Sequence, residues 1–159
     1  MKKKNELAAG IVKTLSKKKL TLATAESITG GGLSAAITDI AGSSEVFLGG
    51  IISYSDTSKT KFLAVAKRLL TKYTAVSEEV AKVMAESARS EFKSDYAIAT
   101  TGVAGPGKAY GLKAGTVWIA IASKKETIAV ALDISGDRAT VRHATIESAL
   151  ATFARILIP

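Results

Sequence analysis

Residues 20–32 hold the feature that most restricts how this chain can fold. An apolar run from Leu20 to Ala25 stops at Glu26-Ser27, and three consecutive glycines, Gly30 to Gly32, open into the helical spacing Leu33, Ala36, Ile37, Ile40. Ser27 is thereby placed at a strand-to-helix corner. Such a corner offers a nucleophile beside backbone N–H groups whose local dipole favours negative charge, as an attacked amide or a bound phosphate requires. Each glycine would cost about 1 kcal/mol relative to alanine inside a helix, so packing alone does not account for the cluster. Close approach of a ligand to the backbone does. A serine that caps a helix and glycines that form an ordinary tight turn are the alternative, and these residues leave both open.

Helical and strand periodicities alternate along the rest of the chain. Leu7, Ala8, Ile11, Val12 and Leu15 predict an amphipathic helix over residues 5–18, and the helix after the glycines runs from about Thr29 to Ile40. Residues 46–54, Val-Phe-Leu-Gly-Gly-Ile-Ile-Ser-Tyr, predict a buried strand with two glycines where another backbone comes close. Ser55-Asp56-Thr57-Ser58 then opens a short helix, residues 65–73 a basic helical piece, and Ser77-Glu78-Glu79 a longer helix toward Phe92. Tyr96 to Thr101 reads as a strand. Gly115 to Ala122 and Glu126 to Ile134 read as two more, joined in an antiparallel hairpin, with Trp118 in the core. The last helix begins near Ser135-Gly136-Asp137 and carries Ile146, Leu150, Phe153 and Leu157 on one face. Strands separated by helices pair parallel and the hairpin adds antiparallel pairing, so an α/β fold with a mixed, mostly parallel sheet is expected.

Composition narrows the function classes. With 159 residues and two prolines a single domain is expected, and no apolar run reaches the roughly 18 residues of a membrane span or the core of a signal peptide, which points to the cytoplasm. Zero cysteines and the single His143 exclude disulfides, thiolate zinc sites, a cysteine nucleophile and a histidine-rich metal site, so neither metal nor cofactor is expected. The net charge of +8 sits largely in Lys2–Lys4, Lys17–Lys19 and residues 59–72. It reads as a solvated surface without stacking platforms rather than a specific nucleic-acid site, although it would attract a phosphorylated small molecule.

Three further places carry candidate chemistry. If Asp56 caps its helix, Lys59 lies in the first turn, where the helix dipole lowers its pKa and suits it to accept a proton; a solvated lysine is the alternative. The glycine-rich loop Gly102 to Ala114 is a candidate lid. Arg138 and Arg142, four apart, share a side of the last helix, a like-charge pairing that an anionic ligand would relieve or solvent would tolerate.

Several motifs, in order along nearly the whole chain, resemble one family. Ala25-Glu26-Ser27-x-Thr29-Gly30-Gly31, Ile40-Ala41-Gly42-Ser43-Ser44, Tyr54-Ser55-x-x-x-Lys59, Ala75-Val76-Ser77, Gly102-x-Ala104-Gly105-Pro106, Gly115-Thr116-Val117 and Ser135-Gly136-Asp137-Arg138-x-x-Val141-Arg142 are similar to the CinA C-terminal domain family. The resemblance implies a stand-alone member of that family, a three-layer α/β/α sandwich, and metal-independent deamidation of nicotinamide mononucleotide to nicotinate mononucleotide and ammonia in pyridine nucleotide recycling. It implies Ser27 as nucleophile, with Tyr54 and Lys59 activating it. Glu26, Thr29, Gly30, Gly31, Thr101, Gly102, Gly105, Arg138 and Arg142 would then bind substrate, the Gly30 and Gly31 amides holding the oxyanion and the two arginines or the glycine-rich loops the phosphate. A small-molecule nucleotide is the expected partner, and a homodimer is the family's expectation. The sequence departs from the family pattern at Gly107-Lys-Ala-Tyr-Gly111, where further glycines are usual, and at Ile28, where a cysteine is frequent. A catalytically idle accessory domain linked to competence or DNA damage, and an amidase for another small molecule, are the competing readings.

Overall fold

Strand alternation sorts the chain into layers. In the computed structural model, which describes residues 2–157, β1 (Leu22–Glu26), β2 (Phe47–Ile52), β3 (Tyr96–Gly102), β4 (Thr116–Ala122) and β5 (Thr127–Asp133) form one sheet in the order β2-β1-β3-β4-β5. The β1–β2 and β1–β3 pairings are parallel; β3–β4 and β4–β5 are antiparallel. Leu22, Ile98, Val117, Ile119 and Ile121 point to one face, where they bury the apolar stripes of α1 (Lys2–Lys18), α2 (Gly32–Thr38) and α6 (Arg138–Leu157). The opposite face is built from alanines: Ala23, Ala25, Ala97, Ala99, Ala120 and Ala122 let Ala81, Met84, Ala85 and Ala88 of α5 (Glu78–Phe92) lie close against the strands. α3 (Asp56–Leu63) and α4 (Lys67–Tyr73) complete that layer. The expected three-layer α/β/α sandwich is the observed fold.

Several expectations change in detail. The strand over residues 46–54 is an edge strand rather than a buried one: pairing with β1 alone leaves Leu48 and Ile52 45% and 56% exposed. Its two glycines make room for side chains and not for a second backbone, since a Cβ on Gly49 would sit 2.6 Å from the Phe92 ring and one on Gly50 would overlap the Thr24 hydroxyl. The Gly30–Gly32 cluster likewise needs no ligand to explain it. Gly30 and Gly31 take φ of 58° and 99°, values costly for any other residue, and a Cβ on Gly32 would lie 2.8 Å from Ile146 Cδ1. Helix α2 therefore starts at Gly32, later than the periodicity suggests. Trp118 is half-buried against the alanine-rich face.

Candidate active site

Adjacent residues at the end of β1 point to opposite layers, and each does a different job there. Glu26 turns toward α2, fully buried. Its Oε2 accepts from the Thr29 hydroxyl at 2.6 Å and from the Gly31 and Leu33 amides at 3.0 Å; its Oε1 accepts from the Ser34 amide at 2.7 Å and the Ser34 hydroxyl. The carboxylate thus caps a helix whose N-cap, Gly31, has no side chain. This corrects the substrate-binding assignment of Glu26: every face of it is occupied by donors of its own chain. Thr29 is buried with it, its hydroxyl also 2.8 Å from that of Thr100.

Ser27, one residue on, faces the α3 layer. Its Oγ accepts from Lys59 Nζ at 2.9 Å, and the same ammonium donates to the Ser53 carbonyl at 2.8 Å. Lys59 is 1% exposed and forms no ion pair among the described residues. Ser55, rather than Asp56, caps α3, in a reciprocal pair with Ser58, so Lys59 stands one residue further in and its own amide donates to the Ser55 carbonyl. The lowered pKa of Lys59 accordingly comes from burial, which disfavours the charged form, and Asp56 offsets part of it. Sequence spacing found this lysine by the right direction of shift and the wrong cause.

Both side chains line a cavity of about 260 Å³ walled by the loop after β3, with Tyr54, Ala75, Val76 and Arg138. Gly102 and Gly105 line it too, as does Thr101, whose hydroxyl is held by the Ala75 carbonyl at 2.7 Å. The loop arches over this space, and Tyr110 at its tip donates to Asp56 at 3.3 Å. Arg138 bridges the rim, donating to the Gly105 carbonyl at 2.7 Å and to the Tyr54 hydroxyl at 2.8 Å. Tyr54 shares the cavity with Ser27 and Lys59 but hydrogen-bonds to neither. Arg142 lies off the cavity and holds backbone carbonyls instead, which removes it from the expected phosphate site.

The oxyanion assignment also changes. The Gly30 amide is spent on the Ser27 carbonyl at 3.1 Å and that of Gly31 on Glu26, whereas the amides of Ile28 and Thr29 have no acceptor among the described residues. The Ser53 carbonyl that steadies Lys59 was invisible in the sequence, since a backbone acceptor leaves no residue-type signal. The basic stretch does contain rings: Lys61 lies 5.2 Å from the Phe62 centre and Lys72 4.8 Å from that of neighbouring Tyr73, so each ring is covered by its own cation.

The sequence pattern described as the CinA C-terminal domain matches residues 4–157. The chain belongs to the CinA C-terminal domain family. A CinA-like protein of Endomicrobium trichonymphae is 42% identical over 153 residues, covering 96% of this CinA domain and 36% of the relative. The domain thus spans little more than a third of the length of such curated relatives. Solved structures match over most of both chains. The competence damage-inducible protein A of Klebsiella pneumoniae superposes with a TM-score of 0.95 at 34% identity, covering 97% of this domain and 96% of that chain. A CinA superfamily protein of Escherichia coli gives 0.94 at 34% identity, covering 96% and 90%.

Proposed function

We propose that this CinA domain is a serine amidohydrolase that deamidates nicotinamide mononucleotide. The observation that carries the reading is the contact of a buried lysine, in an ion pair with no carboxylate among the described residues, with a serine hydroxyl at the floor of a cavity. A lysine kept from water gives up its proton more readily, and in the neutral form it serves as the base that a serine nucleophile needs. Neutral Lys59 takes the Ser27 proton as Oγ bonds to the carboxamide carbon and the carbonyl electrons move to oxygen. The C–N bond then breaks with the proton returned from Lys59 to the leaving nitrogen, which departs as ammonia. Water, deprotonated by the same lysine, attacks the acyl-enzyme and frees the acid and Ser27. Arg138 and Lys108, both on the cavity wall, are the cations available for the substrate phosphate.

The relatives' names speak of competence and damage, and an accessory role would leave the Ser27–Lys59 contact without a purpose. The test is ammonia release from nicotinamide mononucleotide, set against a panel of nucleotides and simple amides. Wild-type protein should turn over the nucleotide through an acyl adduct on Ser27, and Ser27→Ala should be folded and slower by orders of magnitude. No ammonia from any member of the panel, or an alanine variant with the wild-type rate, overturns the reading.

A further inference from the structure

The turn from Ser27 to Gly31 is gripped from two sides by opposite charges. Glu26 takes the amides of Gly31, Leu33 and Ser34, so the start of α2 has those donors already filled. From α6 the Arg142 guanidinium donates through Nε to the Ile28 carbonyl at 3.2 Å and through Nη2 to the Thr29 carbonyl at 2.9 Å. It is part-buried and pairs with no carboxylate among the described residues.

A guanidinium spent on two successive carbonyls orients the peptides they belong to. In a planar trans peptide the C=O and the following N–H point in opposite directions, and the peptides of this turn are trans. Holding the Ile28 carbonyl therefore turns the Thr29 amide away from Arg142. The Ser27 carbonyl, engaged by the Gly30 amide, turns the Ile28 amide away from itself in the same manner. These two amides are the ones left without an acceptor, while those of Ser27, Gly30 and Gly31 go to Thr100, Ser27 and Glu26.

We infer that Arg142 is a positioning residue for the nucleophile's turn: through the Ile28 carbonyl it fixes the plane of the free Thr29 amide, and through the Thr29 carbonyl it aims the Gly30 amide at the Ser27 carbonyl, which sets the free Ile28 amide, so that these two amides receive the oxygen that becomes negative when Ser27 attacks. The inference rests on Ser27 being the nucleophile proposed above. Its chemistry acts on developing charge, so its loss falls on the transition state and not on substrate binding. A phosphate anchor would behave in the opposite way.

The experiment compares wild type, Arg142→Ala and Arg142→Lys by three readouts. One is the rate at which a small fluorophosphonate labels Ser27, a reaction that seats a P=O oxygen as the oxyanion and needs no amide substrate. The others are kcat and KM with nicotinamide mononucleotide and with its unphosphorylated riboside, and rescue of the alanine variant by millimolar guanidinium. Labelling and kcat should fall about a hundredfold in Arg142→Ala, equally for both substrates, with KM within about threefold, and guanidinium should restore part of the loss. Arg142→Lys should fall between. Labelling at the wild-type rate overturns the inference, as does a KM rise confined to the phosphorylated substrate, or a wild type that the probe does not label. Should the alanine variant not fold, the lysine variant decides by the same labelling criterion. A wild type that is labelled yet hydrolyses no amide sinks the amidohydrolase and leaves Arg142 to be judged on labelling alone; one that hydrolyses the nucleotide while Arg142→Ala labels normally does the reverse.

Discussion

At the scale of single residues, Lys59 makes the sharpest claims. Its pKa is pushed below the ordinary 10.5 by burial, so kcat/KM should rise with pH through that depressed value and level off before the usual lysine range. Lys59→Arg keeps its charge throughout and should lose at least about a hundredfold in kcat; near-normal turnover would remove Lys59 as base. The sign for stability follows from the same shift. Between the depressed pKa and 10.5 the unfolded chain binds the proton that the folded one has released, so wild-type stability should rise with pH across that interval relative to Lys59→Met, as melts at a series of pH values would show. Ser27 and Lys59 were legible in the sequence because a serine at a strand-to-helix corner and a lysine just inside a helix are patterns of residue type. The contact between them, made across 32 positions, and the carbonyl of Ser53 were not, since only the folded sheet brings them together.

Among elements, β1 and the turn after it show what alternation decides. Glu26 entered the expected substrate site through the family motif it shares with Ser27, yet period-2 geometry sends neighbours to opposite faces, and Glu26 became the cap of α2. Glu26→Gln replaces one acceptor oxygen by a donor among five incoming donors, which should cost about 3 kcal/mol and lower the melting temperature by several degrees. An unchanged melt would show that α2 does not depend on this carboxylate. Helix types and the hairpin were readable from periodicity. The edge position of β2 was not, because an apolar run states that a strand forms and not how many neighbours it has.

For the whole molecule, strand order places the chemistry. The chain leaves β1 for β2 on one side and comes back to β3 on the other, and Ser27, Tyr54 and Gly102 all stand at or just past the carboxyl ends of those strands, where such a reversal opens a crevice. No group of three His, Cys, Asp or Glu side chains gathers among the described residues, and with one histidine and no cysteine in the chain, hydrolysis should survive exhaustive chelation; loss with EDTA and recovery with zinc would refute the serine–lysine mechanism. The sheet also distributes rigidity unevenly. β1 and β3 are laced on both edges, whereas β2 is laced on one, and it is the end of β2 that delivers the Ser53 carbonyl to the lysine. Amide protons of β2 should therefore exchange with solvent faster than those of β1, through openings well short of global unfolding. Mild denaturant should then silence the proposed activity while the core still reads as native, and a ligand seated on Ser27 should slow that exchange.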